Sequence, residues 1–197
     1  MTTIGVLALQ GDVQEHMAML QSIGVEPLAI RLPADLNDAD GLIIPGGEST
    51  TIGKLASTFG LIKPLRRFGQ GRPIWGTCAG AILLSKDVRR DQPLLELMDI
   101  KVERNAFGRQ VDSFMTELPV PSLPDPQRPF PAVFIRAPII EHVGKNVRVL
   151  ASLESNSGEP RIVAAQQGHL LATSFHPELT GDERFHHYFA SIVEGAK

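Results

Sequence analysis

Cys78 is the only cysteine in the chain, and it stands in Gly76-Thr77-Cys78-Ala79-Gly80. The apolar run Pro73-Ile74-Trp75 leads into this motif, and a helical pattern from Ala79 to Lys86 follows it directly. A strand that turns through Gly-x-Cys-x-Gly into a helix is a nucleophile elbow with cysteine in place of serine. Gly76 and Gly80 leave room for the tight, strained turn that exposes the nucleophile. The helix N-terminus behind Cys78 favours thiolate over thiol. The Ala79 N–H points to the spot where an oxyanion would form. The competing use of a lone cysteine is as a small buried hydrophobe, and only its context separates the two.

A cysteine nucleophile needs a base, and the base needs a partner that orients it. Near the C-terminus the sequence reads Thr173-Ser174-Phe175-His176-Pro177-Glu178. His176 ends an apolar strand, where parallel-sheet enzymes carry their reactive side chains. In an extended segment residues i and i+2 face one way, so Glu178 is expected to fold back on the His176 ring. A third segment, Ile43-Ile44-Pro45-Gly46-Gly47-Glu48-Ser49-Thr50, takes a strand into two glycines and a helix start. Without a Cβ, Gly47 can offer its N–H as a second oxyanion donor. Ser49 or Thr50 can cap the helix, and capping and dipole effects alone could account for Glu48.

The elements that hold these residues alternate in type. Ile4–Leu9, Pro27–Ile30, Gly41–Pro45 and Pro73–Gly76 read as strands. Helical patterns run from Val13 through Met17 and Leu20, and from Thr51 to Phe68 with breaks near Gly60 and Pro64. Such alternation implies an α/β fold, with a mostly parallel central sheet and helices on both faces. The second half has strand-like runs at Val111–Leu118, Ala132–Arg136, Arg148–Leu153, Arg161–Gln166 and Leu170–Phe175, with a hairpin turn at Gln167-Gly168. Several of these are expected to add antiparallel strands, making the sheet mixed. Asp182–Val193 reads as a closing helix with Phe185, Phe189 and Val193 on one face. Six of the fifteen prolines fall between Pro119 and Pro131, so that stretch is expected to be a surface excursion.

The 197 residues suit one compact domain. A formal charge of −3 provides no basic field for nucleic acid. No apolar run approaches the roughly 18 residues of a membrane span. The start of the chain lacks a charged n-region with a cleavage site. With a single thiol, the chain suits a reducing compartment, so a cytoplasmic protein is expected. His16, His142, His169, His186 and His187 show no ligand spacing beyond the adjacent pair on the last helix, which is expected to face solvent. No metal site is expected.

Gly-Thr-Cys-Ala-Gly, Pro-Gly-Gly-Glu-Ser and Phe-His-Pro-Glu-Leu, in this order and spacing, resemble the class I glutamine amidotransferases. Within them the chain is similar to the glutaminase subunits of pyridoxal 5′-phosphate synthase. Gly5–Gly11 with Glu15-His16, Glu103–Phe114, Val133–Pro138 and Ser174–Thr180 carry that narrower likeness, which runs from about residue 3 to 193. The resemblance implies a flavodoxin-like three-layer fold forming a single glutaminase domain over residues 1–197. It implies Cys78 as nucleophile with His176 and Glu178 as its triad partners, and Gly47 and Ala79 as oxyanion donors. The substrate L-glutamine would be held by Gln10, Gly46, Gly47, Glu48, Ser49, Arg104, Ile135 and Arg136. The site would use no cofactor. Ammonia would pass to a (β/α)₈-barrel synthase partner in a large hetero-oligomer. Chemistry agrees, since a zwitterionic amino acid calls for a carboxylate at its amine and donors at its carboxylate. The sequence departs from the family pattern at Ala106, where serine is common, and at Ile139, where a polar residue is common. The proline-rich stretch is also longer than usual.

Three other readings compete. A glutaminase serving another synthase is opposed by the Arg104–Phe114 run. A peptidase on a related sheet is opposed by Glu48 with its two arginines. A non-catalytic binding protein of the same fold would leave Cys78 inert toward a glutamine-mimicking alkylator.

Overall fold

The structure, a computed structural model, describes residues 2–88, 91–104, 113–154 and 160–196. Its first half runs β1 (Thr3–Leu7), α1 (Val13–Ser22), β2 (Glu26–Ile30), β3 (Gly41–Ile44), α2 (Ser49–Thr58), α3 (Ile62–Gly71), β4 (Ile74–Thr77) and α4 (Ala79–Leu84). The second half adds β5 (Ser85–Asp87), β6 (Met98–Glu103), β7 (Ser113–Leu118), β8 (Phe130–Ile135), β9 (Ile139–Val143), β10 (Arg148–Leu153), β11 (Arg161–Gln167), β12 (Leu170–Thr173) and α5 (Arg184–Gly195).

Among the described residues ten strands form one mixed sheet, in the order β2-β1-β3-β4-β12-β11-β9-β6-β5 with β10 on β11. The five strands from β2 to β12 pair in parallel. Every residue of β3, β4 and β12 is buried, as strands covered on both faces require. Helices α1 and α5 cover one face, where Leu20, Phe185, Phe189 and Val193 pack on Ile4, Val6, Ile43 and Trp75. On the other face Ile52, Leu65, Phe68 and Ile82, from α2, α3 and α4, pack with Leu42, Ile44 and Ile74. The three layers expected from the alternation are present. Strands β9, β10 and β11 bring the antiparallel pairings.

Several boundaries differ from expectation for local reasons. The helix expected to reach Lys86 ends at Leu84, and Ser85–Asp87 pairs with β6 instead. The helical stretch after Gly47 divides at Gly60, whose φ of +69° ends α2, while Pro64 sits harmlessly in the first turn of α3. Strands β7 and β8 pair only with each other as a hairpin outside the main sheet. Val111 and Asp112, the expected start of β7, lie outside the described residues.

The proline-rich stretch is tied down. Val120 and Leu123 are buried, and the Arg184 guanidinium donates to the carbonyls of Pro124, Asp125, Arg128 and Pro129 at 2.7–3.5 Å. Its Nε and Nη2 also donate to the Asp182 carboxylate.

No helix among the described residues is long and apolar enough to cross a membrane.

Candidate active site

Four parallel strands deliver sequence-selected residues, and Asp12 with them, to one edge of the sheet. After β1 come Gln10 and Asp12, after β3 Gly46 and Gly47, after β4 Cys78, and shortly beyond β12 His176. This is the carboxyl-end crevice, beside the point between β1 and β3 where strand order reverses.

Cys78 sits at the elbow with φ 47° and ψ −102°, a conformation that non-glycine residues rarely adopt. Its N–H donates to the Thr173 carbonyl at 2.8 Å, stitching the elbow to β12. The flanking glycines are steric necessities. A Cβ on Gly80 would collide with the Ile44 carbonyl oxygen, and one on Gly76 with the backbone of Gly80. The Cys78 thiol, 6% exposed as a residue, donates to the Ile135 carbonyl at 3.9 Å.

His176 is buried, and its Nδ1 lies 2.8 Å from Glu178 Oε1. The extended geometry expected here is replaced by a 3₁₀ turn at Pro177–Leu179, and this turn carries Glu178 back to the ring. The same Nδ1 also lies 3.2 Å from Asp12 Oδ2. Nε2 of His176 is buried and has no hydrogen bond. Burial pulls the imidazole toward the neutral form, but Asp12, Cys78 and Glu178 outweigh it and push the ring up to about 12. His176 therefore rests as a cation, with the Cys78 sulfur among the groups that hold it so. Burial raises the Glu178 carboxyl, and the ion pair with His176 opposes that rise.

Asp12, His176 and Glu178 form the one group among the described residues whose donor atoms converge within 4.8 Å as a cation site would require. The carboxylates there already share the imidazole N–H.

A second cluster lies at the start of α2. Glu48 caps the helix, accepting from the Thr50 N–H at 3.3 Å and the Thr50 hydroxyl at 3.0 Å, so neither Ser49 nor Thr50 is the cap. Arg104 Nη2 donates to Glu48 Oε1 at 2.7 Å and Nη1 to Gln92 Oε1 at 3.1 Å. Burial raises the Glu48 carboxyl, but the Thr50 bonds and Arg104 together hold it below its ordinary value. The Glu48 N–H donates to Gln10 Oε1 at 2.8 Å, and Gly47, at φ +149°, lies so close to the Gln10 amide that a Cβ would meet it at 2.6 Å. Arg136 follows β8 with φ 45° and is exposed. Among the described residues it makes no ion pair. The Asn105–Asp112 part of the Arg104 motif, with Ala106, lies outside the described residues.

The profile of the SNO glutamine amidotransferase family matches residues 6–195. The chain belongs to that family. It is 58% identical over 195 residues to the pyridoxal 5′-phosphate synthase subunit PdxT of Herpetosiphon aurantiacus, covering 96% of this chain and 100% of that one. It is 56% identical to the PdxT of a Roseiflexus species, with 96% and 100% covered. A solved glutamine amidotransferase crystal structure superposes with TM-score 0.88 at 46% identity, covering 97% of this chain and 98% of the other. A putative GMP synthase component from Thermoplasma acidophilum shares the fold at TM-score 0.69 and 18% identity, with 99% and 95% covered.

Two groups in this amidotransferase were not foreseen as parts of its site. Asp12 reads in sequence as an ordinary residue before a helix, yet it sits at the N-cap of α1 without capping it and turns toward His176. His186 was expected to face solvent beside His187, but it is fully buried against His16. The signal was the α5 period, which puts His186 beside buried Phe185 and Phe189, while His187 falls on the exposed side.

Proposed function

We propose that this chain, as a single domain over its 197 residues, is the glutaminase subunit of a cytoplasmic pyridoxal 5′-phosphate synthase. The observation that carries the reading is the buried His176 ring, bonded to Glu178 at 2.8 Å and facing the only cysteine in the chain. Family membership supports glutamine as substrate, and the identity to PdxT subunits supports the pathway.

The thiol proton of Cys78 passes to His176, where the resting cation already holds it, and the sulfur attacks the δ-carbonyl carbon of glutamine. The carbonyl π bond opens to an oxyanion held by the N–H groups of Gly47 and Ala79. The imidazolium protonates the nitrogen as the C–N bond breaks, releasing ammonia and leaving a γ-glutamyl thioester. Water, deprotonated by His176, attacks the thioester; glutamate leaves, and the sulfur is released beside the imidazolium. The strongly basic ring suits the first step, and the two carboxylates on Nδ1 stabilise its cation.

At the other end of the substrate Glu48 receives the α-ammonium and Arg104 the carboxylate, with Ser49, Gln10, Gly46, Ile135 and Arg136 around them. Glu48 and Arg104 bond each other at 2.7 Å, which aligns the two opposite charges for the two ends of glutamine. The ammonia goes to a (β/α)₈-barrel synthase within a large hetero-oligomer. The Gln10 contacts at Gly47 and Glu48 hold the glycine turn in one setting, so the isolated chain is expected to turn over slowly and the partner to speed it. Glutamate release measured with and without the synthase tests this. Stimulation on docking supports it, and full activity without any partner contradicts it.

A further inference from the structure

Behind Glu178 lies a second polar cluster that the steps above leave unused. His16, His186 and Thr77 are all 0% exposed. His16 Nδ1 is 3.0 Å from His186 Nε2, and His16 Nε2 is 3.1 Å from Thr77 Oγ1 and 3.3 Å from Glu178 Oε2. Nδ1 of His186 has no hydrogen bond, and neither has Glu178 Oε2. The two rings stand 5.2 Å apart, each edge-on to Trp75, so apolar packing fixes both planes.

These contacts determine the protons. A buried N–H without an acceptor is rarer and costlier than an unpaired lone pair. His186 therefore keeps its proton on Nε2, donates it to His16 Nδ1, and leaves a bare lone pair on Nδ1. His16 then carries its own proton on Nε2, facing Thr77 Oγ1 and Glu178 Oε2. The reverse assignment would bury a free N–H on His186 and turn a lone pair toward a carboxylate. The N–H is aimed at Thr77, and Glu178 Oε2 meets the positive end of the same ring dipole at contact distance. Burial keeps both rings uncharged. It holds His16 well below its ordinary value, with His186 and His176 adding, and it pushes His186 down to about 3, with His187 adding.

We propose that His16, with its tautomer set by His186, is a positioning residue for glutamine hydrolysis: a neutral ring whose Nε2–H end, 3.3 Å from Glu178 Oε2, steadies that carboxylate from behind while leaving its charge to His176. A cation at that point would draw on the same carboxylate. An apolar residue would leave Oε2 bare and free to rotate. The inference rests on the reading that Cys78, His176 and Glu178 carry the reaction.

Nitrogen-15 NMR of the wild-type protein tests the tautomers first. The expected result is His16 and His186 both neutral and both protonated on Nε2 at pH 7. A cationic ring, or a proton on His16 Nδ1, overturns the proposal. Kinetics of the chain with its synthase partner, expressed per Cys78 site titrated by a glutamine-mimicking alkylator, test the consequence. His16→Leu is expected to lower kcat about tenfold through loss of the dipole contact that steadies Glu178, with KM within about twofold. His16→Gln, which restores an amide N–H, is expected to recover most of the loss. Where His16→Leu fails to fold, His186→Leu is expected to show the same kcat loss through release of the His16 tautomer. Wild-type kcat per titrated site in His16→Leu, or equal losses in the Leu and Gln variants, overturns the proposal. Measured per mole of protein, hydrolysis surviving in Cys78→Ala sinks the triad reading itself and leaves the tautomer result standing.

Discussion

Asp12 Oδ2 lies 3.2 Å from the same His176 Nδ1 that Glu178 Oε1 holds at 2.8 Å. One imidazole N–H thus faces two carboxylates from opposite ends of the chain, one after β1 and one after β12. The arrangement stores positive charge on His176, and it sets the first prediction.

The folded value of about 12 lies above the ordinary 6.5, so the protonated ring stabilises the fold. That contribution is complete below about pH 6.5 and is lost as pH rises toward 12, because the unfolded chain releases its proton first. Unfolding free energy is therefore expected to fall between pH 7 and 10. Asp12→Asn removes the largest of the groups raising the ring and should end the decline at a lower pH. Urea midpoints at several pH values read this out. A decline that ends at the same pH in the two proteins would show that Asp12 does not hold the cation.

Gly46 leaves space for the catalytic ring. A Cβ there would strike His176 Cε1 and come within 2.8 Å of both His176 Nδ1 and Asp12 Oδ2. Gly46→Ala should displace the imidazole and lower kcat about 100-fold, the order expected for a misplacement near 1 Å. Circular dichroism should stay near wild type. An active Gly46→Ala enzyme would mean that the ring works elsewhere.

Arg104 bridges Glu48 and Gln92 at the substrate end. Arg104→Ala should raise KM for glutamine about tenfold, the loss of one charge-assisted bond, with a smaller change in kcat. A change confined to kcat would take Arg104 out of glutamine binding.

Arg184 donates to four carbonyls of the proline-rich stretch and to Asp182, remote from Cys78 in its contacts. Arg184→Ala should cost about 2 kcal/mol of stability, since four partly buried bonds lose their charged donor. Kinetics per titrated site should be unchanged at temperatures where the variant is folded. Chemical denaturation measures the first effect. A variant as stable as wild type would show that the stretch is held by Val120 and Leu123 alone.

The central strands and the reactive motifs were legible because they are local. A continuous apolar run ending in glycine describes β3 and β4 completely, and Gly-x-Cys-x-Gly encodes its own turn. The edge of the sheet was hidden. Strands β5, β6 and β9 went unread, because Met98–Glu103 and Ile139–Val143 mix charged and apolar residues and draw their order from neighbours distant in sequence. The α5 period marks His186 as buried, but the chemistry of Asp12, His16 and His186 is hidden for the same reason. Their chemistry arises from contacts across 164, 162 and 170 positions: 12 to 176, 16 to 178, and 16 to 186. For Glu48 the sequence offers both helix capping and substrate binding, and the start of α2 shows the capping.

The most direct measurement is the intact mass of the protein after exposure to a glutamine-mimicking electrophile, with and without excess glutamine, for wild type and His176→Asn. The account predicts one adduct on Cys78 in wild type, suppressed by glutamine and formed far more slowly when the imidazole is gone. A Cys78 that stays unlabelled, or labels equally fast in both proteins and regardless of glutamine, would contradict it.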